Sequence, residues 1–229
     1  MKIHRFFVEQ RIPKTGEFDI TNESPLNQWR NVLRMEACDR AILFDGKGDE
    51  ALCEFISLSK KLATLKVIET KKGMVPTREV TLYMSLIKKD NFEMVLEKAT
   101  ELGVTHVVPV QAGRSEKKGV NFERAQKILQ EAAEQSGRAT VPTIGEIITI
   151  EEVPNESFVV FDPRGKISAR EHFTKHTKAP IAVFIGPEGG FTEEEMALFH
   201  ARKIPVVSTG TQVLRAETAA IVALSLALV

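Results

Sequence analysis

After residue 79, short apolar runs alternate with segments of helical periodicity, and this alternation restricts the chain to few folds. Residues 80–87 are apolar and strand-like. Asp90 and Glu93 stand at capping-box spacing ahead of a helix whose apolar face is Phe92, Val95, Leu96, Ala99 and Leu102, with Gly103 as its stop. Residues 104–110 form the next predicted strand, and Asn121 opens a helix through Ile128, Leu129, Ala132 and Ala133 that ends at Gly137. Residues 158–161 and 181–185 are continuous apolar runs of strand length, and Val206 and Val207 mark another. Thr192 with Glu195 makes a capping box for a helix ending near Arg202, and residues 215–228 make a last helix. Strands alternating with helices predict an α/β domain with a mostly parallel sheet covered on both faces. Such sheets take ligands beyond the carboxyl ends of their strands, which directs attention to the residues after Ile185 and after Val207.

The segment 1–70 has another pattern. Residues 4–8 are strand-like, Pro13-Lys14-Thr15-Gly16 is a turn, and Asn22 or Ser24 can cap a short helix through Trp29 and Leu33. Residues 41–44, 52–58 and 62–69 are predicted strands, with Asp45-Gly46-Lys47-Gly48-Asp49 as a hairpin turn. That is the profile of a small, mostly antiparallel β-barrel. Lys71-Lys72-Gly73-Met74-Val75-Pro76 opens an expected linker over 71–78, leaving expected domains 1–70 and 79–229.

At 43% hydrophobic and 27% charged residues, the chain has an ordinary globular balance. A domain of about 150 residues buries enough surface to hold together without metals or disulfides. Cys38 and Cys53 sit among strand-like apolar neighbours and are expected to be buried free thiols, which suits a reducing cytosol and a cytoplasmic location. The opening MKIHRFFVEQ lacks a signal-peptide apolar core, and residues 219–229 are too short an apolar stretch to span a bilayer, so no membrane role is expected. Lys+Arg and Asp+Glu are 31 each, and zero net charge argues against a sequence-blind nucleic-acid binder while leaving room for a local patch. Lys71, Lys72, Arg78, Lys88 and Lys89 face one nearby acid, Glu79, as either a contact surface or a solvated connector. His4, His106, His172, His176 and His200 show no metal-ligand spacing, and no metal is expected.

Two segments carry chemistry. Ile185-Gly186-Pro187-Glu188-Gly189-Gly190-Phe191-Thr192 leads from a strand into the capped helix. Its glycines and proline build a tight, preset loop whose backbone can approach a ligand closely, and N–H groups at the helix start can receive an anion. The plain alternative is a strand-to-helix turn. Ser208-Thr209-Gly210-Thr211-Gln212-Val213-Leu214-Arg215-Ala216-Glu217-Thr218-Ala219 likewise follows a strand, with Arg215, Glu217 and Thr218 at the mouth of an apolar helix. There the plain alternative is an N-terminal cap with an ion pair.

Together these segments resemble the cofactor loops of the SPOUT methyltransferases, and most closely the ribosomal RNA small subunit methyltransferase E family. Arg5-Phe6-Phe7-Val8 resembles that family's opening, Val32-Leu33-Arg34 its VLR element, Glu97-Lys98-Ala99-Thr100-Glu101-Leu102-Gly103-Val104 its KATELGV helix end, and Ala132-Ala133-Glu134-Gln135-Ser136-Gly137-Arg138 its AAEQSGR. The chain departs at Asn27, where the family has a histidine near the VLR element. It departs again at Thr209-Gly210 and Val213-Leu214-Arg215, against the family's LG and ILR, and at Gly113-Arg114-Ser115-Glu116, its arginine–serine turn.

The resemblance implies a PUA-like N-terminal barrel, a C-terminal α/β SPOUT domain with a trefoil knot, and a homodimer with active sites at the subunit interface. It implies S-adenosyl-L-methionine as cofactor and N3 of a uridine in 16S rRNA, within the small ribosomal subunit, as target. Main-chain groups near Ile185, Gly186, Gly190, Thr209, Gly210 and Leu214 would recognise the adenine, with Gly189, Thr218 and Ala219 completing the cofactor contacts. The apolar helix 219–229 agrees with a dimer, or with a core helix inside one chain.

Uridine N3 carries a proton at neutral pH, so methylation there needs a general base or cationic stabilisation of the uridine anion. Arg215 could stabilise charge on the base carbonyls or hold a phosphate. Glu217 could be the base or orient Arg215, and Glu188 is a second possible base or a loop hydrogen bond. Arg138 and Gln135 could contact substrate, or Arg138 could complement its helix dipole. Arg5 and Arg34 in the barrel, and Arg114, Lys117 and Lys118 on a basic loop, are expected RNA contacts. Competing expectations are a non-catalytic RNA-binding or ribosome-assembly protein of the same fold, and a SPOUT methyltransferase with another RNA target. A third, an enzyme binding a phosphate-bearing ligand on the glycine-rich loop, would want a lysine beside the glycines, and none is there.

Overall fold

The computed structural model describes residues 3–154, 158–175 and 181–228; His176 and Val229 lie outside them. The chain divides into two compact units, one running to Val75 and taking in Ala133–Val141, the other comprising Pro76–Ala132 and the residues from Pro142 onward.

The first unit holds β1 (His4–Phe7), β2 (Gly16–Ile20), α1 (Glu23–Asn27) with a π-helical turn (Gln28–Val32), β3 (Arg40–Phe44), β4 (Asp49–Leu58) and β5 (Ala63–Lys72). Its five strands are ordered β1-β3-β4-β5-β2, antiparallel except for the parallel β1–β3 pair. Alternate residues turn inward, as the pleat requires: Ala41 and Leu43, then Ala51, Cys53 and Phe55, then Ala63, Leu65 and Val67. Phe6, Ile20, Leu26 and Trp29 complete one core, with the Trp29 ring edge-on to Phe55 at 5.1 Å and to Phe6 at 5.6 Å. Register shifts at Leu52/Cys53 and Phe55/Ser57 bend the long β4–β5 hairpin around that core. The expected turn joins β3 to β4, where the Lys47 N–H donates to Asp45 Oδ1 at 2.9 Å.

Two details differ from expectation. Asn22 stands at the N-cap of α1, but its side chain donates to Glu9 Oε2 at 3.3 Å instead of capping, and the helix widens into the π-turn around Trp29. Cys53 is buried and desolvation pushes its thiol up to about 12, whereas Cys38 is exposed. Cys38 and Arg34 both adopt positive φ, at 73° and 54°, so residues 34–39 make a surface reversal and no strand.

The second unit comprises β6 (Val80–Ser85), α2 (Lys89–Leu102), β7 (His106–Gln111), α3 (Phe122–Ser136, its last residues grouped with the first unit), β8 (Thr143–Ile144), β9 (Ile148–Thr149), β10 (Phe158–Phe161), β11 (Ile167–Ser168), α4 (Ala169–Lys175), β12 (Ile181–Ile185), α5 (Glu193–Ala201), β13 (Val206–Ser208) and α6 (Ala216–Leu228). Among the described residues the sheet runs β11-β13-β10-β12-β6-β7-β8, with β9 also on β7, and every pairing is parallel. Phe158, Phe184, Phe191 and Phe199 pack edge-on or tilted in its core, with ring centroids 5.1–6.4 Å apart.

The capping box of α5 is complete: Glu195 N–H donates to Thr192 Oγ1 at 3.2 Å, and Thr192 N–H donates to Glu195 Oε2 at 2.7 Å. Thr192→Ala is expected to lower stability by about 1 kcal/mol, seen as a lower urea midpoint with unchanged slope. Asn121 Oδ1 accepts from Arg124 N–H at 3.0 Å at the start of α3. Asp90, expected as a cap, lies instead in the first turn of α2, two residues past the N-cap Lys88, where it favours the helix dipole without a capping bond. Among the described residues no helix is long and apolar enough to cross a membrane.

Candidate active site at the strand ends

A cleft of about 640 Å³ opens in the second unit where β10, β12 and β13 end. It is lined by the loop after β12, from Ile185 through Gly186, Glu188, Gly189 and Gly190 to Phe191. It is also lined by the segment after β13, including Thr209, Gly210, Leu214, Arg215, Glu217 and Ala219. Both segments singled out in the sequence therefore frame one concavity, at the strand exits where α/β sheets bind ligands.

Local chemistry sets the first loop. Phe191 is buried beneath it against Phe184 and Phe199, and a Cβ on Gly186 would lie 2.9 Å from the Phe191 ring, so that close approach requires glycine. Gly190 closes a turn by donating to Pro187 O at 2.8 Å and takes φ 68°. Glu188 Oε1 accepts from Lys88 N–H at 3.1 Å, and Arg114 Nη1 donates to Gly189 O at 2.9 Å and Phe191 O at 3.3 Å.

Glu217 is the second residue of α6 and only 6% exposed, and its Oε2 has no hydrogen-bond partner among the described residues. The α6 N-terminus favours a carboxylate there. A buried acceptor left open is costly unless something donates to it, so this oxygen is available to a donor entering the cleft. Arg215 is exposed beside it.

The other expected residues are not among those that line this cleft. Thr218 is exposed and does not line the cleft. Arg138 belongs to the first unit, buried, with Nη2 and Nε donating to Thr140 Oγ1 at 3.0 and 3.3 Å; burial pushes its guanidinium down to about 10. Gln135, Arg34, Lys117 and Lys118 are exposed. Arg5 pairs with Glu50 inside the first unit at 2.8 Å. Among the described residues no group of three or more His, Cys, Asp or Glu side chains could hold a metal.

Sequence reasoning missed Asp162 and Pro163, which line the cleft after β10, and Asn91 of α2; Lys88, singled out only as part of a basic stretch, lines it too. The signal was available: Asp162-Pro163-Arg164-Gly165 follows an apolar strand and has the preferred residues of a tight turn.

Among the described residues, a parallel sheet with a cleft framed by two strand-to-helix loops defines an α/β domain with a ligand-sized site at its strand ends. A model of the RNA methyltransferase domain matches residues 74–228, and one of the RNA methyltransferase PUA domain matches residues 30–68. The ribosomal RNA small subunit methyltransferase E of Bacillus subtilis is 32% identical, over 97% of this chain and 95% of its own length. That of Rickettsia conorii is 29% identical, over 98% and 95%. The crystal structure of the Neisseria gonorrhoeae enzyme of that name, bound to S-adenosyl methionine, superposes with a TM-score of 0.89 at 27% identity, covering 97% of this chain and 95% of that one. The chain belongs to the RNA methyltransferase family, in the branch of the ribosomal RNA small subunit methyltransferases E.

Proposed function

We propose that this protein methylates N3 of a uridine in the 16S rRNA of the small ribosomal subunit, with S-adenosyl-L-methionine as donor. The observation that carries the proposal is the single cleft framed by two glycine-bearing loops, with the buried, unpartnered Glu217 oxygen and the Arg215 cation on its wall. Its volume of about 640 Å³ suits a ligand of nucleoside size. The wall mixes apolar Ile185, Val207 and Leu214 with the backbone of Gly186, Gly189, Gly190, Thr209 and Gly210. Ile185, Gly186, Gly189, Gly190, Thr209, Gly210, Leu214 and Ala219 are assigned to the donor, whereas Thr218, exposed and outside the cleft lining, is left out. When bound, that donor supplies the methyl group as an electrophilic sulfonium.

The remaining chemistry falls to side chains. Glu217 takes the N3 proton, and Arg215 offsets the negative charge left on the uridine carbonyls. Glu188 already accepts the Lys88 N–H, which suits it to fixing the loop and favours Glu217 as base. Arg34, Gln135, Lys117 and Lys118 are assigned to RNA as exposed polar groups, and Arg5, Arg114 and Arg138 as arginines that order the groups they hold, the Glu50 carboxylate, the Gly189 carbonyl and the Thr140 hydroxyl.

The proposal includes a homodimer in the cytoplasm and a trefoil knot. Partly exposed Ile221, Val222 and Leu226 on α6, and Val213 at 79% exposure, support a second copy. The knot is carried over from the family to which the chain belongs.

Calorimetric titration with S-adenosyl-L-methionine, and mass mapping of small-subunit RNA from cells lacking the protein, test the proposal. One methyl-uridine should be missing and should return when protein and donor are added to the subunits. Absence of donor binding, or an unchanged methylation map, overturns it.

A further inference from the structure

Asp162-Pro163-Arg164-Gly165 forms a β-turn closed by Gly165 N–H to Asp162 O at 2.9 Å, and it meets both loops of the cleft. On one side Gly165 lies against the backbone of β13: a Cβ there would be 2.5 Å from Val207 C and 2.8 Å from Ser208 N, which leaves no room for any side chain. On the other side Arg164 Nη2 donates to Phe191 O at 3.1 Å, at the end of the glycine-rich loop. The guanidinium is itself held in place. Its Nε donates to Asp162 Oδ1 at 2.8 Å, its Nη2 to Asp162 Oδ2 at 2.9 Å, and its Nη1 to Glu193 Oε1 at 2.9 Å. The Asp162 side chain is 4% exposed and also accepts the Arg164 N–H at 2.9 Å, so this anchor is rigid.

The Phe191 carbonyl thus receives two guanidiniums, Arg164 from the β10 exit and Arg114 from the β7 exit. Glu195 reinforces the same junction, accepting Gly113 N–H on Oε1 and Thr192 N–H on Oε2, each at 2.7 Å. We propose that Arg164 is a positioning residue of the donor site: seated on the Asp162–Gly165 turn, it sets the 186–191 loop relative to the 208–215 segment before any ligand arrives. The proposal rests on the assignment of this cleft to S-adenosyl-L-methionine. A loop ordered in advance spares the ligand the cost of ordering it, so the effect falls on donor affinity. Arginine is needed because its planar fork grips a carboxylate with two N–H groups while keeping others for a carbonyl, which an ammonium does not match.

The test compares full-length wild type with Arg164→Met and Arg164→Lys. In the ligand-free proteins, amide hydrogen exchange over residues 186–192 should be faster in Arg164→Met. Its Kd for S-adenosyl-L-methionine should rise about tenfold, roughly 1.4 kcal/mol, with Arg164→Lys in between. At saturating donor, kcat should stay within about twofold and KM for small-subunit RNA should not move, the signature of lost uniform binding. Wild-type exchange and Kd in Arg164→Met overturn the proposal, as does a fall in kcat at unchanged Kd. Should Arg164→Met fail to fold, Arg164→Lys decides, because an ammonium on Asp162 cannot also reproduce the fork to Phe191 O. Wild type that does not bind the donor would refute the functional assignment, while the ligand-free exchange comparison would still decide whether Arg164 orders the loop.

Discussion

Glu217→Gln is expected to lower kcat by about 100- to 10,000-fold, the range of a lost general base, while the Kd for S-adenosyl-L-methionine stays within about twofold of wild type. The substitution preserves shape and removes basicity, and losing a charge at the α6 N-terminus costs only about 0.3–1 kcal/mol, too little to unfold the chain. The carboxylate is buried, one of its oxygens is unpartnered, and it lines the same cleft as the glycine-rich loop. Uridine N3 must lose its proton before its lone pair can attack, and an amide cannot take that proton. Two controls sharpen the result. Glu188→Gln keeps an oxygen that can accept the Lys88 N–H, and its rate should change little. Arg215→Ala removes a cation and should lower kcat by about 100- to 1,000-fold, as for other lost charge-stabilising donors. Single-turnover methylation of small subunits with saturating donor reads all three. If Glu217→Gln instead weakens donor binding sharply and spares kcat, Glu217 is a donor ligand and the base lies elsewhere. If neither constant moves, Glu217 leaves the mechanism.

The cleft's two main walls were legible because each follows an apolar strand: β12 falls on the predicted residues 181–185, and β13 holds the predicted Val206 and Val207. The Thr192–Glu195 box was legible for a related reason: both partners lie within one helical turn, so spacing alone specifies the contact. Contacts between distant segments were not. Asp90 with Glu93 has the same spacing as a true capping box, yet the chain starts α2 at Lys89, and no local rule separates the two cases. β8, β9 and β11 are two residues each, too short to carry periodicity. Arg114 resembles a solvent-facing cation in the sequence, and its engagement with carbonyls of the glycine-rich loop, 75 and 77 residues away, exists only in the folded sheet. The Asp162–Gly165 turn escaped because attention went to loops rich in glycine, whereas this one works through a single arginine and one close backbone approach.

Glu50→Ala is expected to destabilise the first unit by about 3–5 kcal/mol, the effect of breaking a buried ion pair by removing one partner. Glu50 Oε2 receives Arg5 Nη1 at 2.8 Å, with side-chain exposures of 6% and 16%. The Arg5 guanidinium lies over the Phe44 ring at 5.3 Å, and its Nε has no hydrogen-bond partner among the described residues. Once the carboxylate is gone, the Arg138 carbonyl at 3.4 Å is a long and neutral substitute for a desolvated cation. Lys71, also on Glu50 at 3.3 Å, is 63% exposed and adds little. Trp29 is the chain's single tryptophan and lies in the core of this unit, so its fluorescence in a urea titration follows the first unit. Arg5→Met should show a smaller loss than Glu50→Ala, because a flexible apolar chain can occupy the space over Phe44, although it leaves a buried carboxylate with Lys71. The double variant Arg5→Met, Glu50→Leu should recover most of the stability, since a hydrophobic pair replaces two charges that were expensive to bury. A Glu50→Ala loss below about 1 kcal/mol, the size typical of an exposed pair, would mean that water reaches these charges. Arg5 would then be free to act on RNA directly; a large loss, measured with no RNA present, assigns its cation first to holding β1 against β4.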